Sequence, residues 1–130
     1  MRTIDEIKKE ANEYQKILDN APTTIDNGDL LVEYLCGLNY IISRTGVMLA
    51  EAVKLRDTAR KMVYANDFDH VKKLSASIAK DYVANSTADE NALYTWIEQL
   101  NKTAKHQADN LRTQVSYAKE TLKLTKNGYG

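Results

Sequence analysis

Cysteine is nearly absent. Cys36 stands alone in 130 residues, which rules out an internal disulfide and suits a reducing compartment. Proline is as scarce, with Pro22 alone, and glycine occurs five times, so long helices with short connections are favoured over a turn-rich fold. Neither sign of charge prevails. Lys and Arg number 18 against 18 Asp and Glu, leaving no global field to draw in nucleic acid or an anionic membrane. No apolar run approaches the roughly 20 residues that span a bilayer. The residues after Met1 are polar and charged, so no secretory signal is expected and the chain reads as cytoplasmic.

What is present points to a folded, single helical domain over residues 1–130, since a hydrophobic content of 43% excludes wholesale disorder. One stretch organises the chain. From Leu30 to Ala65, Leu31, Tyr34, Leu38, Ile41, Thr45, Met48, Ala52, Leu55, Ala59 and Met62 recur at alternating steps of three and four. Leu35, Ile42, Leu49 and Val63 widen that stripe on one side. An unbroken helix here would measure roughly 54 Å at 1.5 Å per residue. A compact domain of this size has a radius of gyration of only about 14 Å. The helix must therefore bend, at Gly37 or Gly46, or serve as the spine of an elongated or multi-chain bundle.

Thr3 with Glu6 forms a capping box that opens a first helix, about 4–19, with Ile4, Ile7, Ala11, Tyr14, Ile17 and Leu18 on one face. Asn20-Ala21-Pro22 ends it. Thr23 to Gly28 is a polar connection in which Ile25 can reach the core, and Asp29 is the expected N-cap of the long helix, about 30–65. Asn66-Asp67 breaks that helix. A third, about 68–84, carries Val71, Leu74, Ile78 and Tyr82 inward, and Thr87 with Glu90 caps a fourth, about 88–126. The fourth helix has its own stripe: Leu93, Ile97, Leu100, Ala104, Ala108, Leu111, Val115, Ala118 and Leu122, with Trp96 beside it. Asn127-Gly128 is a fitting stop, with Tyr129 and Gly130 frayed. The fold class is all-α, an elongated bundle of two long helices and two shorter ones.

Catalytic signals are sparse. Glu10-x-x-Glu13 and Asp26-x-x-Asp29 have the three-residue spacing of paired carboxylates that hold Mg²⁺, yet capping and solvated charge account for both. His70 and His106 lack the Glu three residues earlier that a di-iron bundle requires. Cys36, between Leu35 and Gly37, reads as a small buried residue rather than a nucleophile. Neither a metal, a cofactor nor an enzymatic role is expected. The sequons at Asn85 and Asn101 are chance matches.

Asn101 to Glu120 is over-specified for a solvated face, which is usually filled with Glu, Lys and Ala. It offers amides, hydroxyls, His106, Arg112 and Tyr117. Lys102, His106, Asp109 and Thr113 share one line, and Lys105, Asp109, Arg112, Ser116 and Lys119 the next. Lys54, Arg56, Arg60 and Lys61 form a second basic patch. Polar groups of this kind either satisfy one another between helices or subunits, or build an anion pocket with tyrosines for stacking. Eight Tyr against one Phe is the skew of an interface.

The last helix, through Trp96-Ile97-Glu98-Gln99-Leu100 and His106-Gln107-Ala108-Asp109-Asn110-Leu111-Arg112, resembles that of short all-helical accessory proteins of tailed bacteriophages. The resemblance covers the last third of the chain and implies a counter-defence factor or a recombination accessory. The expectation is a non-enzymatic, self-associating binding protein, a homo-oligomer engaging a host defence protein or sequestering a nucleotide-type signal between subunits. Lys105, His106, Asp109 and Arg112 would meet the ligand's charges and Tyr117 would stack. A recombination or replication accessory touching single-stranded DNA is the alternative, though neutral net charge does not favour nucleic acid. A virion assembly or scaffolding part is the third. No membrane partner is expected.

Overall fold

The long stripe folds as one helix. In the computed structural model, which describes residues 1–22 and 24–124, α2 (Gly28–Asn66) runs for 39 residues without a break at Gly37 or Gly46. It is about 58 Å long, so the elongated bundle is the form adopted. α1 (Ile4–Asp19) precedes it; α3 (Phe68–Val71), α4 (Ala76–Ser86) and α5 (Ala88–Leu124) follow, and among the described residues there is no strand. The helix stop expected at Asn127–Gly128 lies outside the described residues.

Three helices share the core. α1 lies antiparallel to α2, as Arg2 meets Glu51, Arg44 meets Glu10, and Tyr34 reaches the Ile17 carbonyl. α5 is also antiparallel to α2, with Arg60 bonded to Asn91, Asn101 to Thr45, and Arg112 to Asn39. Ile7, Ala11, Tyr14 and Leu18 of α1 close over Leu38, Ile41, Met48 and Ala52 of α2 and over Leu93, Ile97, Leu100, Ala104, Ala108 and Leu111 of α5. The stripe of α2 is buried from Leu31 to Ala52, with Tyr34 half-covered, but Leu55 and Ala59 are half-covered and Met62 is exposed. The stripe of α5 is buried as far as Leu111; Val115 is half-covered and Leu122 is exposed.

Thr3 and Glu6 make the capping box, each accepting from the other's backbone N–H. Four local expectations are corrected. Asn27, not Asp29, caps α2: its Oδ1 accepts from the N–H groups of Asp29 and Leu30 at 2.9 and 3.2 Å. The third helix is two pieces, α3 and α4, joined through Ser75 in an extended conformation. Val71 and Val83 are both buried, yet positions 12 apart point about 120° from each other on one continuous helix. The break lets both face inward and turns Ile78 out to solvent. The buried Thr87 donates its hydroxyl to the Val83 carbonyl at 2.9 Å, so it finishes α4, while Asn91 donates to it at 3.3 Å. Cys36 is exposed rather than buried.

Candidate functional site

α1 ends where the Asn20 side chain donates to the Lys16 carbonyl at 2.7 Å and Pro22 follows. The chain then crosses from α1 to α2, tucking Ile25 against the core. Between this crossing, the last turns of α1 and the first four turns of α2 lies a cleft of about 790 Å³. Tyr14 and Ile17 form one wall; Leu30, Tyr34, Leu38 and Ile41 form the other, and Pro22 and Ile25 close the end. Gly37 borders open space in it, where an added Cβ would meet no atom within 4 Å. Leu30, an apolar side chain, is 55% exposed in the cleft. Tyr40 edges the mouth with its ring 6.3 Å from that of Tyr14, edge to face. Among the described residues, the only charged ones in the lining are two carboxylates, Asp26 and Glu33.

The floor beneath Tyr14 is ionic. Glu10 is held by Arg44 through two bonds of 2.8 and 2.9 Å and by Arg2 at 2.6 Å, and the Tyr14 hydroxyl donates to it as well. Arg2 also grips Glu51 through bonds of 2.9 and 2.6 Å. The bond from Arg44, aided by those from Tyr14 and Arg2, outweighs burial and holds the Glu10 carboxyl down at about 2. Arg2 likewise lowers Glu51. Burial, then the bond to Glu10, pushes the Tyr14 phenol up, so its ring stays neutral in the cleft wall. Burial raises the Tyr34 phenol too; its hydroxyl lies 3.4 Å from both the Ile17 carbonyl and Gln107 Oε1. Glu10 is therefore a structural anchor and not the solvated charge its spacing with Glu13 suggests.

The residues singled out on α5 lie elsewhere. Lys105, His106, Asp109, Arg112 and Tyr117 are all exposed, and none lines the cleft. Arg112 donates to Asp109 at 3.0 Å and to Asn39 at 2.9 Å, and Tyr117 is 76% exposed. Their inward neighbours bond between helices. Asn101 donates to Thr45 Oγ1 and the Ile42 carbonyl, and Gln107 to the Leu18 carbonyl. In the second basic patch, Arg56 stacks 4.6 Å over the Tyr94 ring and Arg60 donates to Asn91. Among the described residues, no group of three or more His, Cys, Asp or Glu could hold a metal ion, and no helix is long and apolar enough to cross a membrane.

No family model, curated protein or solved structure matches the chain. The site must be read from its own chemistry. An apolar trough rimmed by carboxylates, with no cation among the described residues of its lining, suits an apolar group carrying positive charge. Sequence reasoning missed it because its walls belong to separate segments. The available signal was the surplus of apolar residues around Leu30–Ile41, more than one face of a helix needs.

Proposed function

We propose that this chain is a non-enzymatic binding protein whose cleft takes an apolar, basic-flanked segment of a protein partner. The observation that carries the reading is the 790 Å³ apolar cleft with Asp26 and Glu33 as the only charges among its described lining residues. Its volume lies within the range of about 300–1,000 Å³ typical of ligand pockets. Apolar side chains supply the binding energy there, and the two carboxylates select the sign of the partner's charge. A nucleotide-type ligand draws no support from this lining. The likeness of the last helix to tailed-phage accessory proteins is the ground for proposing a host defence component as the partner and the host cytoplasm as its setting.

Matched aromatic amines and aromatic carboxylates, titrated while the melting temperature is followed, test the reading. The amines should stabilise the protein more than the carboxylates. Gly37→Phe, which places a ring in the trough, should abolish the shift while leaving the helical circular dichroism intact. Equal response to both series, or a shift that survives Gly37→Phe, would refute it.

A further inference from the structure

The outward face of α2 is unlike a solvent face. Val32, Cys36, Tyr40, Ser43, Val47 and Ala50 follow one another at steps of three and four on the side away from the core, and all are exposed. Val32, Tyr40 and Val47 are 56%, 61% and 50% exposed. This uncharged line extends for about 27 Å, where a solvated helix would be filled with Glu and Lys. α2 is thus apolar on the face it buries and apolar on the face it shows, the pattern of a helix covered on both sides.

The ends of that line carry opposite charge. Asp29 lies on it one turn before Val32, whereas Lys54 and Lys61 lie on it after Ala50, and all three are exposed. Asp57, close by, is paired with Arg56 at 3.4 Å. A face that is acidic at one end, basic at the other and apolar between is complementary to itself when reversed. From this we infer that two copies of the chain pack antiparallel through the outward face of α2, about a two-fold axis between Ser43 and Val47. That arrangement sets Asp29 opposite the partner's Lys61, Tyr40 opposite the partner's Ala50, and Ser43 opposite the partner's Val47. Large side chains meet small ones, and each copy uses the same patch, as a two-fold interface requires. Parallel pairing would instead stack like charges. The stretch from Tyr40 to Ala50 supplies the strength, Val32 and Cys36 meet the partner's Thr58 and the partner's Lys54, and the exposed ion pairs, individually weak, choose the direction. The surface is separate from the cleft except at Tyr40, which edges both.

Sedimentation equilibrium of the full chain at low salt tests the inference, and a dimer is expected at tens of micromolar. Val47→Glu combined with Ala50→Glu should yield monomers with unchanged helical signal and melting, because both positions are exposed within the single chain. Asp29→Lys and Lys61→Asp should each weaken the dimer several-fold, and the two together should restore it. A parent chain that is monomeric at that concentration overturns the inference, whether or not it pellets with lipid vesicles. So does a dimer indifferent to Val47→Glu, or charge reversals that weaken singly and fail to restore together.

Discussion

Replacing Glu10 with Gln removes the hub that ties the start of α1 to the middle of α2. The carboxyl is held from an ordinary 4.5 down to about 2, and a shift of that size corresponds to about 3 kcal/mol of preferential binding of the ionised form. The side chain retains 15% exposure, and Arg2 keeps Glu51 in the variant, so the net loss should be about 2 kcal/mol. With an unfolding entropy of about 2.1 cal/mol/K per residue over 130 residues, that lowers the melting temperature by roughly 7 °C at pH 7. The sign of the pH dependence follows from the direction of the shift. A depressed carboxyl stabilises the fold above its unfolded value, so the contribution is whole above pH 4.5 and disappears as pH falls towards 2. Thermal melts of parent and variant across pH 7 to 2.5 should therefore converge in acid. Glu51, lowered by Arg2, leaves both proteins some common acid sensitivity, so the difference between the curves is the readout. A variant melting within a degree of the parent at pH 7, or curves that stay parallel into acid, would refute the role given to Glu10.

Three further outcomes are expected. Thr45→Val deletes the fully buried hydroxyl that accepts from Asn101 and should cost about 1–2 kcal/mol in urea unfolding, whereas adding Asn101→Leu should recover most of it, since removing both partners leaves less unpaired. Gly37→Ala places a methyl where nothing lies within 4 Å and should raise stability by about 0.5–1 kcal/mol, seen as a melt a few degrees higher. Arg112→Ala removes exposed bonds to Asp109 and Asn39 and should change stability by less than about 1 kcal/mol, measured the same way.

The three-and-four recurrence from Leu31 to Ala52 and from Leu93 to Leu111 made the two long helices legible, because burial enforces the helical period along each face. The first helix was equally plain from Thr3, Glu6 and Pro22, whose effects are local. The break before Ser75 was not, since no Pro or Gly marks it and only the joint burial of Val71 and Val83 demands it. Nor was the ion cluster, which needs the register of α1 on α2 to bring Arg2 and Glu10 to Glu51 and Arg44. A hint existed: Arg44 and Glu51, seven apart and thus on one side of an otherwise apolar stretch, imply charged neighbours on another helix. The cleft depends on a separation between two segments, which no local pattern encodes.

α5 outlasts the helices that shelter it. As far as Leu111 its apolar side chains are locked into the shared interior, while from Ser116 to Leu124 every residue is exposed. One geometric rod is therefore two thermodynamic bodies. Amides from Leu93 to Leu111 should exchange with solvent hydrogen only when the bundle opens, whereas those from Ser116 to Leu124 should exchange by local fraying. Labels or truncations in those final turns leave the interior untouched.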